Sequence, residues 1–481
     1  MGKEKKAFER KDINVFWALV PLLVMIVCML FWVVKLKQAP HIPLMIGTAI
    51  AAIVAHRHGF TWEQIEEMMY RGIKMALPAI VIIILVGLVI GAWIGGGIVA
   101  TMIYYGLKMI SPSMFLVTIC IICSIVALAI GSSWSTMATV GVAGMGIGLS
   151  MDIPAGMIAG AVVSGSYFGD KMSPLSDTTN LASGLTGTNL FVHIRHMFYT
   201  TIPGVIIALI AYFFIGRQFS GGHLDTAKID GITSAMEAQF VISPWLLLVP
   251  VVVVVLVILK VPAVPALVAG LLLGSGCQYF VQGDALKMIA ETLQTGYVMD
   301  SDNTLVKELF NKGGLESMFF TISMTIVAMT FGGILEFSGM LEALISKILL
   351  IAKSTGSLIA AALISCFTVN ATCSEQYISI VVPSRMYLKA FIDKGLHPKN
   401  LSRCLEDSGT LTSVFVPWNT CGVFIFTTLG VSVGEYAPYA IFNFLVPIIS
   451  VIYGYTGFKI VKINKEEQQD FLRQQIHPAE I

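Results

Sequence analysis

The chain has 481 residues, 56% of them hydrophobic and only 12% charged, against about 25% charged in an ordinary soluble domain. A mean hydropathy of +0.82 and many apolar runs near the ~20 residues that cross a bilayer exclude a soluble globular fold and point to an all-α polytopic membrane protein. A formal net charge of +1 identifies no partner beyond the lipid bilayer and gives no sign of nucleic acid, and the continuous apolar runs are unlike the ~10-residue alternating strands of a membrane barrel.

The start, MGKEKKAFERK, is basic and precedes an apolar run over 14–34 that is longer than a signal-peptide core, so it reads as a retained signal anchor. TWEQIEEMMYRGIK (61–74) has the pattern of an amphipathic helix at the inner membrane surface. Further spans or near-spans are expected at 75–98, 114–130, 194–215, 241–259, 262–280, 317–335, 356–369, 374–392 and 436–458. Shorter candidates lie at 41–55, 136–150, 154–168 and 415–429. Five Lys and Arg fall in residues 1–11, and more cluster in 56–74, 385–403 and the tail, whereas 281–316 holds three lysines against six acids. By the positive-inside bias the basic segments face the cytoplasm, which places both termini inside a plasma-membrane protein with an even number of crossings.

All eight cysteines fall in apolar segments. Cys120 and Cys123 have CxxC spacing, but inside a span this sets two small apolar side chains one turn apart, and packing is expected rather than redox or metal chemistry. The glycines of GVAGMGIG (141–148) lack the strand–helix setting of a dinucleotide site and are expected to let helices approach closely. No Walker loop, His-rich metal cluster or GxSxG elbow is present. No enzyme activity and no cofactor are expected, and any transport draws on an ion gradient.

Two stretches repeat at low identity. GAWIGGGIV (91–99) pairs with GGILEFSGML (332–341), matching Gly91 with Gly333 and Gly97 with Gly339. GSSWST (131–136) pairs with NATCSE (370–375), and Pro154 with Pro398. SGSYFGDKMSPLSDT (164–178) pairs with SGTLTSVFVPWNT (408–420), matching Pro174 with Pro417. The expected division is 1–74, N-terminal spans and interfacial helix; 75–185, repeat 1; 186–316, a linker with additional spans; 317–430, repeat 2; and 431–481, a last span and tail. The first copy follows a segment placed inside and the second a segment placed outside, so the copies are inverted. Inverted repeats with broken helices are a recurrent build of secondary transporters, with the ion site near the midplane where the breaks meet.

Polar groups inside lipid cost several kcal/mol each, so intramembrane polar clusters are candidate sites. Four stand out. Ser132, Ser133, Ser135 and Thr136 crowd the end of an apolar run, where four hydroxyls favour an oxygen-lined break over simple helix packing. Asn370, Thr372, Ser374 and Glu375 occupy the matching place in the second copy, with Tyr377 close by. In GDKMSPLSDTTN (169–180), Pro174 interrupts a helix and frees carbonyls beside Asp170, Ser176, Asp177 and Thr178. There Lys171 reads equally as a counter-ion, as a competitor for a cation, or as a loop residue. Finally, Glu406 and Asp407 follow Arg403 by one turn, and Asn419 and Thr420 mirror Ser176 and Asp177. Carboxylates, hydroxyls and freed carbonyls are hard oxygen ligands suited to a small alkali cation or a proton relay, and Asp177, Glu375 and Asp407 are the expected Na+ ligands. GSSWST serves the carboxylate of an organic acid equally well.

GSSWSTMATVGVAGMGIG, AGAVVSGSYFGDKMSPLSDTTNLAS and NATCSEQYISIV resemble the NhaC family of bacterial sodium/proton antiporters, a similarity that runs from about residue 14 to 460. The resemblance implies Na+/H+ antiport in the plasma membrane and the inverted repeats with re-entrant hairpins and broken helices of the ion transporter superfamily. Its alternative is a Na+- and H+-coupled organic-anion exchanger of the malate/lactate kind. The partners expected on either reading are Na+ and H+, with small carboxylates on the second, and a homodimer is compatible with both.

Overall fold

The computed structural model describes residues 13–463 apart from 37, 110, 175, 220–225, 260, 300–306, 308, 309, 312 and 351. The basic segment 1–11, Lys465 and Arg473 of the tail, and Asp300, Asp302, Glu308 and Lys312 lie outside the described residues. The rest is helical throughout, with one isolated antiparallel bridge among the described residues, Leu396 with Lys462.

Fewer helices cross unbroken than the apolar runs suggest. Among the described residues, Leu190–Phe219, Glu316–Ser338 and Thr355–Cys373 are long and apolar enough to span a membrane. Four helix pairs reach that length only across a bend, among them Lys399–Phe415 with Thr420–Leu429 at 51°. Shorter apolar helices, such as Val15–Met29 and His41–Arg57, make up the remainder. The segment 61–74 is not a separate surface helix. It forms the first turns of one helix, Trp62–Gly95, started by a capping box in which Thr61 and Gln64 satisfy each other's backbone N–H. Nothing between Lys74 and Met75 stops the helix, which bends by 41° between its Trp62–Leu77 and Ile80–Gly95 parts, so the amphipathic turns lead into the apolar ones across a kink.

Breaks recur in the same order in both proposed copies. Trp62–Gly95 is followed by left-handed Gly97 (φ 73°), and Phe319–Ser338 by left-handed Gly339 (φ 94°). Pro112–Ile130 ends on left-handed Gly131 (φ 72°), and Thr355–Cys373 on left-handed Ser374 (φ 59°). Ala155–Met172 gives way to extended Ser173 and a new helix capped at Ser176; the stretch from Lys399 gives way to extended Val416 and a helix capped at Asn419. The backbone thus matches Gly131 with Ser374, four residues later than the sequence pairing of 131 with 370. A serine holding a left-handed conformation carries none of the glycine signal that marks the first break.

The buried apolar side chains form two main clusters, and each draws on both halves of the chain. One joins residues 83–163 to Leu411, Val414, Phe424 and Leu429; the other joins residues 324–405 to the N-terminal helices and Ala182. The last element of each proposed copy therefore packs into the other's core.

One very close helix contact is made by small residues. Gly165 and Gly169 lie one turn apart on Ala155–Met172, and a Cβ on either would sit 2.2 Å from the carbonyl oxygen of Cys120 or Ser124. Cys120 and Cys123 are buried in this contact. Gly141, Gly144 and Gly148 are crowded less severely, by side-chain ends of Val162, Ile119 and Ile158 at 2.6–2.8 Å. Gly165→Val is expected to force these helices apart at a cost of about 1–3 kcal/mol or more, read as a lower unfolding temperature of the purified protein and a lower yield. An unchanged melting curve would show that the contact is not rigid.

At the other end, residues 457–463 run back along 395–403. His397 N–H donates to the Val461 carbonyl (3.0 Å) and Ile463 N–H to the Gly395 carbonyl (2.9 Å). Asn400 brackets Val461, donating from Nδ2 to its carbonyl (2.7 Å) and accepting its N–H (3.0 Å). Arg403 Nη1 donates to the Lys459 carbonyl (3.3 Å).

Candidate functional site

The hydroxyl run of the first break has a local role before any ligand is considered. After Gly131 turns the chain, Ser132 caps the short helix Ser133–Thr136 by accepting the Ser135 N–H (3.2 Å). The next residue turns outward from its own helix. Ser133 donates both its backbone N–H (3.0 Å) and its hydroxyl (2.7 Å) to one oxygen of Asp170. Asp170 is buried at the end of Ala155–Met172, so the break of one element holds the carboxylate of another. Ser176 also reaches Asp170. Thr136 bonds back to the Ser132 carbonyl (2.9 Å) and does not face a ligand.

The second break does the same with its own carboxylate. Glu375 caps Gln376–Asp393 by accepting the Tyr377 N–H (3.3 Å) on one oxygen, while the Thr420 hydroxyl donates to the other (2.8 Å). Thr420 N–H donates to the Ser374 carbonyl (2.9 Å), which fixes the second broken helix to this break. Asn370 and Asn419 complete the joint. Asn419 Nδ2 donates to the Asn370 carbonyl (3.1 Å), and Asn370 Nδ2 donates to the Gly409 carbonyl (2.8 Å). Thr372 bonds within its own helix, to the Val369 carbonyl (3.3 Å).

These elements enclose a cavity of about 80 Å³. Ser132, Ser133, Asp170, Ser176, Asp177, Thr178 and Glu375, all marked in the sequence, line it together. Asp170 and Glu375 are buried, whereas Asp177 is exposed and stands where the cavity opens. Ile82, Trp134, Gln376 and Tyr377 complete the wall, and Tyr377 reaches the Asp177 carboxylate. Of these, only Tyr377 carried a signal in the sequence, its closeness to Glu375. Trp134 sits inside the quoted motif but offers no ligand oxygen, and Ile82 looks like any residue of a span. The three acids do not converge on one point: among the described residues no group of three His, Cys, Asp or Glu is placed to hold a metal ion by itself. A cation here would draw on single carboxylates together with hydroxyls and backbone carbonyls.

Ser135, Thr136, Asn370, Thr372, Ser374, Asn419 and Thr420 do not line the cavity; they stand behind it. Glu406 and Asp407 are fully buried on a π-helical stretch, Leu405–Thr410, and also lie outside it. Asp407 was expected to bind Na+. Its carboxylate instead receives the Lys171 ammonium (2.8 Å) and the Thr200 hydroxyl (3.0 Å) on one oxygen, with Arg403 Nε 3.9 Å from the other. A metal cation placed there would confront two fixed positive charges. Lys171 stands as the counter-ion of Asp407. His193 and His196 are buried, and His193 meets the Ser402 hydroxyl at 2.8 Å.

The profile of the Na+/H+ antiporter family matches residues 165–458. The chain is 40% identical to the Na(+)/H(+) antiporter NhaC of Alkalihalophilus pseudofirmus, over 94% of this chain and 98% of that protein. It is 36% identical to the Na(+)/H(+) antiporter NhaC of Bacillus subtilis, over 87% of this chain and 93% of the relative. It is 35% identical to the malate-2H(+)/Na(+)-lactate antiporter of Bacillus subtilis, over 93% of this chain and 96% of the relative.

Proposed function

The chain belongs to the Na+/H+ antiporter family, and from that premise we propose that it exchanges Na+ for H+ across the plasma membrane, with Asp170, Asp177 and Glu375 shared between the two ions. The observation that carries this reading is the charge of the cavity: three carboxylates and no Lys, Arg or His among its lining residues. Each bound Na+ or proton lowers the negative charge by one. Once one ion is held, the pull on the other falls, so the two compete for the same carboxylates and exchange follows when access alternates. The breaks at Gly131 and Ser374 are the hinges of that motion, two inverted repeats rock about them, and both termini face the cytoplasm. The protein works as a transporter rather than an enzyme, alone or as a homodimer.

The malate/lactate relative makes an organic acid the second reading, and the geometry disfavours it. A substrate carboxylate needs a cation or a free helix N-terminus. The Ser133 N–H is taken by Asp170 and the Tyr377 N–H by Glu375. Lys171 and Arg403 are both turned to Asp407. In proteoliposomes holding a pH dye, Na+ alone is expected to drive proton flux. Flux that requires added malate or lactate would replace antiport with organic-anion exchange.

A further inference from the structure

A second, larger cleft of about 620 Å³ lies away from the carboxylates, lined by Glu67, Tyr70, Arg71, Lys74, Met75 and Phe337. It opens where Trp62–Gly95 and Phe319–Ser338 part. Below it the two helices touch backbone to backbone: a Cβ on Gly72 would sit 2.1 Å from the Met329 carbonyl oxygen, and one on Gly333 2.5 Å from that of Met68. One turn beyond Gly333, Phe337 stands in the last turn of the spanning helix Glu316–Ser338, which puts the cleft at the membrane boundary. Tyr70, 60% exposed, suits that depth, where aromatic belts gather. Glu67, Arg71 and Lys74 are spaced four and three apart and share one helix face. Arg71 Nε meets Glu67 at 3.0 Å, and its guanidinium carbon lies 5.9 Å from the centre of the Phe337 ring. Lys74 is exposed, and among the described residues no acid pairs with it. Two cations against one acid leave the lining one positive charge in excess, and Met75 and Phe337 add apolar surface beside it. The same i,i+4 pairing recurs at Lys389 and Asp393 (2.7 Å), but there the side chains are 70% and 48% exposed, against 29% for each of Arg71 and Glu67. A phosphodiester with one negative charge and an attached hydrocarbon chain complements both parts of this lining.

We propose that this cleft binds an anionic phospholipid of the surrounding membrane, its phosphate held by Arg71 and Lys74 and its acyl chain lying along Met75 and Phe337. The lipid bridges the helices that open the two proposed copies. The full chain, purified in detergent, is titrated with phosphatidylglycerol and separately with zwitterionic phosphatidylcholine of the same acyl chains, and bound lipid is counted by native mass spectrometry. One phosphatidylglycerol per chain is expected to bind roughly 30-fold more tightly than phosphatidylcholine, about fivefold for each basic residue. Arg71→Gln/Lys74→Gln is expected to abolish the difference. Lys74→Gln leaves the packing of Arg71 intact, so it tests the site even if the double variant fails to fold, and it is expected to lower phosphatidylglycerol affinity about fivefold. Lys389→Gln removes a comparable charge away from the cleft and is expected to change nothing. Equal binding of the two lipids, an unchanged affinity in Lys74→Gln, or an equal loss in Lys389→Gln overturns the proposal. Millimolar inorganic phosphate is expected not to displace the lipid; full displacement would make the cleft a free-phosphate site and overturn the proposal as well.

Discussion

Asp170→Asn is expected to lower Na+-driven proton flux by roughly 10- to 100-fold or more, the range set by the ~1.5–3 kcal/mol that a charged hydrogen-bonding partner contributes. Asparagine keeps the shape and can still accept the hydrogen bonds from Ser133, so the break at Gly131 stays in place. What it removes is one of three negative charges and the oxygen that would carry a proton. A buried unpaired charge is costly to hold in the folded protein, so the variant should be at least as stable as the parent while transporting poorly. Glu375→Gln tests the second break less cleanly, because the two contacts fall on separate oxygens: the amide oxygen can still accept the Tyr377 N–H, but the NH2 that replaces the other oxygen must donate to the Thr420 hydroxyl instead of accepting from it. The assay is proton flux at matched protein density in the membrane. Near-normal flux in Asp170→Asn would remove this carboxylate from the exchange.

The second large effect concerns stability. Lys171 and Asp407 meet at 2.8 Å with both side chains fully buried, and removing one member of such a pair typically costs about 3–5 kcal/mol. The two single variants should not be equal. Lys171→Met leaves Asp407 with Arg403 Nε at 3.9 Å and with the Thr200 hydroxyl. Asp407→Asn strands both Lys171 and Arg403, so it should unfold at the lower temperature. The double variant Lys171→Met/Asp407→Asn should recover part of the loss, since it removes both charges of the pair and leaves only Arg403 without its carboxylate. Thermal unfolding of the four proteins in detergent closes the cycle. Additive losses in the double variant would mean that the two side chains do not interact.

The legible parts of this molecule are those written in local chemistry. Gly97, Gly339 and Gly131 hold positive φ, and glycine announces such turns. Pro174 and Pro417 lack an N–H, so the breaks beside them follow from residue type; Asn419 caps the helix after the second by accepting the Cys421 N–H, and Ser176 stands at the same position of the first without a side-chain cap bond. The cavity lining followed from the same logic, since hydroxyls and carboxylates in lipid must face something. What stayed hidden depends on distance. Asp407 looked available because its sequence neighbour Arg403 lies one turn away, whereas its closest cation, Lys171, is 236 residues distant. Thr200 sits in an ordinary apolar helix and gives no sign that it completes this pair. The second break carries no glycine mark, because its left-handed residue is Ser374, a serine among polar neighbours.

A tail is commonly treated as a neutral handle for purification or labelling. Here residues 457–463 share hydrogen bonds with 395–403, and Arg403 grips the Lys459 carbonyl one helical turn ahead of Asp407. Any load hung directly on residue 463 is carried by the same stretch of chain that leads into the second broken helix. A label joined there without a spacer reports on a strained transporter, so the handle is mechanically part of the machine it is meant to hold.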